Sequence, residues 1–237
     1  MKPIAVFQHS PGTGPGHFIE YAARAGLPLH LYCGFLGEPL PASISGFSGL
    51  VSFGGPMSVN HRLGFIEQEA RLMDEALRRE IPVLGHCLGS QLLARALGAT
   101  VEANRPAPWE LGWFPVHAVE SGHEEWTDAF NGQEVFHWHN ENFALPQGAT
   151  HLLTNENCTH QAFACGPHLG MQFHIEITAA MIRDWCRRSD APREWQHLPT
   201  VQSVEAMQTD LQSRISQSNR IAERIYSRWS RSLYEKE

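Results

Sequence analysis

The sequence predicts an α/β protein with a mostly parallel central sheet flanked by helices, and three observations carry that reading. Strand-like and helix-like segments alternate through the first hundred residues, the pattern of a parallel sheet with crossover helices. Two strand candidates, GLVSFGG (49–55) and IPVLG (81–85), are apolar runs of the kind buried strands need. The second passes straight into a glycine-flanked turn and a helix.

In order, PIAVFQ (3–8) is the first strand, followed by a Gly/Pro-rich loop at 11–16 and a helix over 17–25. LPLHLYC (27–33) is the second strand and 49–55 the third. The next helix carries Ile66, Ala70, Met73 and Leu77 on one face, at helical spacing. After strand 81–85, a helix is ended by Gly98. From about 100 to 175, LGWFPVHAV, EVFHWH, THLLTN, HQAFAC and HLGMQFH read as antiparallel additions and closing strands of the same sheet. A helix fits 177–188, SDAPREWQHLP reads as a loop, and one final helix is predicted over about 201–234. Its stripe of Val204, Met207, Leu211, Ile215, Ala222, Ile225, Trp229 and Leu233 is too apolar to leave in water. This predicts a catalytic domain at 1–189 and a C-terminal helical extension at 190–237, docked on it or on a second copy of the chain. None of the residues assigned below to chemistry is expected to depend on that helix.

At 237 residues the chain can bury a full core, and a charged fraction of 18% is ordinary for a globular protein. The net charge of −7 argues against nucleic acid or an anionic membrane as partner. No apolar run approaches the roughly 18 residues of a membrane span, and the N-terminal apolar stretch is too short for a signal peptide. Five cysteines without a C-x-x-C pair suit neither a disulfide framework nor a zinc site. A cytoplasmic protein with free thiols is the expectation.

One thiol stands out. GHCLG (85–89) has the form G-x-C-x-G between a strand and a helix. Such a turn holds a nucleophile out from the sheet, and its glycines let backbone pass where a Cβ would clash. A helix N-terminus favours thiolate over thiol, and the amide of Leu88 can donate to an oxyanion. Most free cysteines are small core residues. That reading stands for Cys33, Cys158, Cys165 and Cys186, which lack such a turn. A nucleophilic thiol needs a base, and the base needs orienting. In GMQFHIE, near the end of the last strand, His174 and Glu176 are two residues apart and share one face of an extended segment.

Together these segments closely resemble the class I glutamine amidotransferase family, over about residues 1–185. GHCLGSQ looks like the family's nucleophile motif, and the resemblance implies that Gln91 helps hold substrate. SFGGPMS (52–58) looks like its oxyanion loop, which implies that the Gly55 amide pairs with that of Leu88. Gln172-Phe173-His174-Ile175-Glu176 resembles its closing Gln-Phe-His-Pro-Glu motif, with Ile175 in place of proline. ELGWFPV, FHWHNENF and HQAF follow in the family's order, most like stand-alone relatives of the glutaminase part of GMP synthetase. The resemblance implies a flavodoxin-like fold and a Cys87–His174–Glu176 triad acting on a γ-glutamyl amide without cofactor or metal. His139-Asn140-Glu141 stands where relatives carry His-Gly-Asp, so these residues are expected to contact the substrate's α-amino and α-carboxylate groups differently.

His137 and His139 share one strand face, but no carboxylate or cysteine completes a metal set in the sequence. SPGTGPGH (10–17) does not fit G-x-G-x-x-G, which argues against dinucleotide binding. Two activities fit the trio. One is a glutaminase passing ammonia to a separate synthetase, since the chain carries no P-loop; the other is a free-standing γ-glutamyl peptidase. A non-catalytic regulatory protein on the same scaffold is the third reading, and the intact trio weighs against it.

Overall fold

The apolar runs Ile4–Phe7, Gly49–Ser52 and Val83–His86 lie in the interior, because strands with no polar face must be covered on both sides, whereas Leu29–Tyr32 is an edge strand with Leu31 exposed. The computed structural model describes residues 1–119, 124–130 and 132–234, so the last three residues of the predicted C-terminal extension lie outside it. In chain order, Ile4–Phe7 (β1), His17–Arg24 (α1), Leu29–Tyr32 (β2), Gly49–Ser52 (β3), Gly64–Arg78 (α2), Val83–His86 (β4) and Leu88–Ala96 (α3) come first. Val101–Ala103 (β5), Glu110–Ala118 (β6), Glu124–Thr127 (α4), Gln133–His139 (β7), Glu141–Phe143 (β8), Thr150–Thr154 (β9), Ala162–Cys165 (β10) and His168–Met171 (β11) follow. Ala179–Arg188 (α5), Ala191–Trp195 (α6), Val204–Gln208 (α7) and Leu211–Arg231 (α8) complete the chain.

Among the described residues the central sheet has nine strands in the order β2-β1-β3-β4-β11-β10-β9-β6-β7. The first five run parallel, and the last four extend it in antiparallel fashion. β5 and β8, which no segment of the sequence announced, form a separate antiparallel pair. Alternation divides the core along β1. Ile4 and Val6 face a cluster with Phe18, Tyr21 and the α8 residues Ile221, Ile225, Tyr226 and Trp229. Ala5 and Phe7 face the opposite cluster, with Ile66 and Met73 of α2 and Leu92 and Leu93 of α3.

The single C-terminal helix of the sequence reading is two helices. Asp210 takes a left-handed conformation (φ 51°, ψ 27°) between α7 and α8, which an aspartate tolerates better than most residues. The Trp113 indole donates to the Met207 carbonyl at 3.0 Å, anchoring the end of α7 to β6. The apolar stripe runs unbroken through this corner, so periodicity alone did not reveal it. The predicted loop after Arg188 likewise contains α6, with Pro192 in its first turn where a missing N–H costs nothing.

α8 lies along α1 over the sheet. Tyr21 Oη meets Ser230 Oγ at 2.8 Å, His17 Nε2 meets Glu223 Oε1 at 2.7 Å, and Arg24 pairs with the same carboxylate. Trp229 is 1% exposed and sits against Gly49 of β3, where a Cβ would approach its ring to 3.2 Å. Replacing Trp229 by Ala empties this space and is expected to cost about 3–5 kcal/mol in urea unfolding. A loss under about 1 kcal/mol would mean that α8 is a removable appendage.

Candidate active site

The turn predicted at Cys87 is present and strained. Cys87 caps the N-terminus of α3 with φ 50° and ψ −111°, a positive φ that a residue with a side chain adopts only when its surroundings impose it. The surroundings are backbone. A Cβ on Gly89 would lie 2.1 Å from the Ser52 carbonyl oxygen, and one on Gly85 2.6 Å from the Gly89 oxygen. Only glycines let β3, β4 and the first turn of α3 approach this closely. The Cys87 amide donates to the Met171 carbonyl at 2.8 Å, tying the turn to β11. As the first residue of α3, Leu88 presents an N–H with no intrahelical acceptor.

His174 and Glu176 lie beyond the end of β11, not within it. Their alignment comes from tertiary hydrogen bonds: the His174 amide donates to the Phe136 carbonyl at 2.8 Å, and the His17 amide to the Glu176 carbonyl at 2.9 Å. Ser218 of α8 reaches the Ile175 carbonyl between them, at 3.4 Å. The pair still forms as predicted, with His174 Nδ1 2.6 Å from Glu176 Oε1, both residues buried. Burial works against the imidazolium, but Glu176 and the neighbouring Cys87 thiol outweigh it and raise His174 to about 10. Burial likewise pushes Glu176 up, and His174 and His86 reverse that and hold it below its ordinary value. The edge of Trp185 stands against the His174 ring, centroids 5.0 Å apart.

Behind Glu176 lies a histidine the sequence reading passed over. His86, the residue before Cys87, has Nδ1 3.2 Å from Glu176 Oε2 and Nε2 3.4 Å from the Tyr226 hydroxyl. Burial is the main cause that lowers its pKa to about 4, so the ring is neutral. The C-terminal helix thus reaches His86 through Tyr226 and the Ile175 carbonyl through Ser218.

The 52–58 loop passes beside the cysteine. A Cβ on Gly54 would come within 2.9 Å of His174 Cε1, and one on Gly55 within 2.8 Å of the Leu88 side chain. The loop rests on a buried pair: His9 Nε2 is 2.7 Å from Glu69 Oε2, His9 Nδ1 is 3.2 Å from the Gly54 carbonyl, and Ser52 donates to Glu69 Oε1 at 2.5 Å. Burial opposes charge on His9, but Glu69 and the loop carbonyls overcome it and raise its pKa.

The opposite wall is the 139–141 segment. Asn140 has no positive φ, so the backbone accepts it in place of glycine without strain, and its side chain is exposed. Gln91 Nε2 donates to the Glu141 carbonyl at 3.0 Å and to Gln172 Oε1 at 3.3 Å, linking α3 to this wall. The Glu141 carboxylate accepts from Ser58 at 2.8 Å and so bridges the two walls. The His139 ring turns away from the cavity toward Glu110, with Nε2 2.9 Å from Oε2. Glu110 is the carboxylate that the sequence reading did not find. With His137 and His139 it forms a buried group whose ligand-capable atoms lie within 4.8 Å of one another. Its oxygens already accept from Asn155 (2.6 Å), Asn157 (3.0 Å), Gln161 (2.9 Å) and His139, so a cation there would have to displace these donors. Burial pushes Glu110 up, and His137, His139 and the amide donors together hold it far below the carboxylate range. Burial also lowers His137 to about 4.

Cys87, Gly55, Gln91, His139, Asn140, Glu141 and His174 all line one cavity of about 570 Å³. Leu88 and Glu176 sit directly behind this lining, buried. Trp109, Trp138, Trp185 and Arg188 line it as well.

The model of the glutamine amidotransferase class-I family matches residues 24–182, more than half of the chain. The chain belongs to that family. A glutamine amidotransferase-like protein of Salmonella typhimurium is 31% identical over 76% of this chain and 78% of its own length. A solved glutamine amidotransferase from Methylobacillus flagellatus is 38% identical, with a TM-score of 0.92, over 100% of this chain and 97% of that one. The glutamine-hydrolysing GMP synthase of Chlamydia caviae is 29% identical over 55% of this chain but only 25% of its own length. The chain thus spans about a quarter of that relative.

Of the residues sequence reasoning missed, Glu69 left a signal: an acidic residue three after Ile66 and four before Met73, on the apolar stripe of α2. Glu110, His86 and Tyr226 left none, since their partners are far away in sequence. The His9–Glu69 pair has a testable signature. A histidine whose folded-state pKa is raised contributes stability that is complete below its unfolded value, near 6.5, and is lost as pH rises through the folded value. The melting-temperature deficit of Glu69→Gln against wild type should therefore be largest near pH 6 and shrink toward alkaline pH. A deficit that grows with pH would contradict the pairing.

Proposed function

We propose that this protein hydrolyses a γ-glutamyl amide through a cysteine thioester, with Cys87 as nucleophile, His174 as proton carrier and Glu176 as its orienter. The observation that carries the reading is the cysteine on its strained turn, beside a buried imidazole whose other nitrogen is 2.6 Å from a carboxylate. In this reading the Cys87 sulfur attacks the γ-carbonyl carbon, and the Gly55 and Leu88 amides stabilise the oxyanion. His174 protonates the departing nitrogen, the amine leaves, and a γ-glutamyl thioester remains. Water, deprotonated by His174, attacks the thioester; glutamate departs and the thiol regains its proton. Gln91 and the 139–141 segment would hold the amino-acid end of the substrate, the segment through main chain, since the His139 ring is engaged with Glu110. No step calls on a cofactor.

The five free cysteines suit the cytoplasm, and among the described residues no helix is long and apolar enough to cross a membrane. If the amine is ammonia, a separate synthetase would receive it, the role the name of the GMP synthase relatives points to. One observation favours the peptidase alternative. The cavity of about 570 Å³ is lined by Trp109, Trp138 and Trp185 in addition to Gln91 and the 139–141 segment, which offers apolar surface that a departing ammonia does not use.

Cys87→Ala and His174→Ala are each expected to abolish turnover, with Glu176→Ala retaining about 10- to 100-fold more activity than either. Kinetics on purified folded variants decide this, and a Glu176→Ala protein as inert as Cys87→Ala would give the carboxylate a larger part. A glutamine-like chloroketone should label Cys87 first, because Cys87 lines the cavity beside His174, whereas burial pushes the thiols of Cys33 and Cys186 up, Cys186 to about 11, and raises Cys158 further still. Peptide mapping that finds the label mainly elsewhere would overturn the assignment. For the leaving group, γ-glutamyl dipeptides should exceed glutamine in kcat/KM, and Trp185→Ala should raise KM for the dipeptide more than for glutamine. Equal effects on both would remove the peptidase reading.

A further inference from the structure

We propose that His86 and Tyr226 are positioning residues for Glu176, forming a relay that runs from the C-terminal helix to the back of the catalytic carboxylate. The inference rests on the Cys87–His174–Glu176 reading and extends it by two residues.

The geometry carries it. Glu176 spends Oε1 on His174, and its other oxygen is buried without an aligned hydrogen-bond partner. His86 Nδ1 is also buried without one, and the two atoms are 3.2 Å apart. Each is therefore the nearest recourse of the other. A neutral imidazole has one N–H and one lone pair, and what it meets at one nitrogen decides which it offers at the other. Glu176 settles that choice, because a carboxylate only accepts, and the Tyr226 hydroxyl, 3.4 Å from Nε2, is free to donate there. Nε2 then accepts, so the ring N–H is on Nδ1, the nitrogen 3.2 Å from Glu176 Oε2. The opposite tautomer would set a lone pair against a carboxylate, two acceptors face to face in the protein interior. Packing fixes the ring in this attitude. His86 stacks on Phe53 with centroids 5.4 Å apart and planes 9° apart, and Tyr226 stands edge-on to it at 80°. The Phe173 carbonyl nearby also favours a ring proton.

A donor on Oε2 holds the carboxylate ionised and in one rotamer, and an ionised, fixed Glu176 is what keeps the His174 imidazolium. The groups that face His174 are Glu176, Cys87, His86 and His137; those that face His86 are Glu176, His174 and Tyr226. Only the His86–Tyr226 contact changes in the gentlest test, because Tyr226→Phe removes one oxygen and keeps the ring.

The experiment titrates His174 by nitrogen-15 histidine NMR, its signals assigned by their loss in His174→Gln, alongside kcat and KM on a γ-glutamyl amide. Tyr226→Phe should lower the His174 pKa by about half a unit to one unit and kcat by about 3- to 10-fold, with KM unchanged. His86→Leu should act in the same direction and more strongly. His86→Asn, whose amide N–H takes the place of Nδ1, should restore most of both, and adding Tyr226→Phe to it should change nothing further. A folded Tyr226→Phe protein with a wild-type His174 titration overturns the relay, as does a second full loss when Tyr226→Phe is added to His86→Asn. Cys87→Ala in the same assay separates the two questions: residual turnover there sinks the triad reading itself, whereas an inert Cys87→Ala beside an unaltered Tyr226→Phe sinks the relay alone.

Discussion

Everything in the site hangs on one close approach of backbone to backbone, the contact of Gly89 in α3 with Ser52 in β3. With room for no Cβ there, α3 starts directly over the sheet, and the chain must turn at Cys87 within a single residue. That turn gives Cys87 its positive φ and points its side chain into the cavity. It also fixes the neighbours: His86 falls inside the sheet beneath Glu176, while Leu88 begins the helix with an amide that has no acceptor within it. One steric constraint thus assigns opposite fates to three consecutive residues, which explains why a motif of five residues is so informative.

The site is framed by three buried carboxylates, each facing histidine: Glu176 with His174 and His86, Glu69 with His9, and Glu110 with His137 and His139. Burying such charges brings no dependable gain in stability, because desolvation offsets the attraction. Their placement gives the physical reason to retain them. Glu176 orients the imidazole beside the thiol, Glu69 fixes the Gly54 carbonyl through His9, and Glu110 anchors the His139 end of the opposite wall. Each fixes the direction of a group beside the cavity. A purely apolar support would pack as well but would not set the direction of a carbonyl or an imidazole.

What the sequence disclosed was what it encodes locally. The elbow, the His174–Glu176 spacing and the parallel strands of the first half are short-range patterns, and the structure brings Cys87, Gly55, Gln91, His139, Asn140, Glu141 and His174 to one cavity with Leu88 and Glu176 behind it. Glu110, Tyr226 and His86 were illegible because the identity of a partner more than twenty residues away leaves no periodicity. The corner at Asp210 was hidden for another reason. α7 and α8 present apolar residues in one continuous register, so the stripe describes a buried face without saying that the chain bends beneath it. β5 and β8, three residues each, are too short for any alternation to emerge.

Ile175 shows how a local signal can point to the right outcome by the wrong route. In place of proline, isoleucine favours strand geometry, which makes an extended His-Ile-Glu segment the natural inference. β11 nevertheless ends at Met171, and these residues carry only an isolated antiparallel bridge between Phe136 and His174. Three consecutive residues are instead held from three directions: His174 by the Phe136 carbonyl, Ile175 by Ser218, and Glu176 by the His17 amide. β7, α8 and α1 supply these anchors. Proline would stiffen the segment from within; here stiffness comes from outside, and two of the anchors, His17 before it and Ser218 after it, lie outside the matched family region. The C-terminal helix therefore cannot be treated as an appendage in an argument about the site. Its inner face covers the sheet, and the same face holds the segment that carries His174 and Glu176.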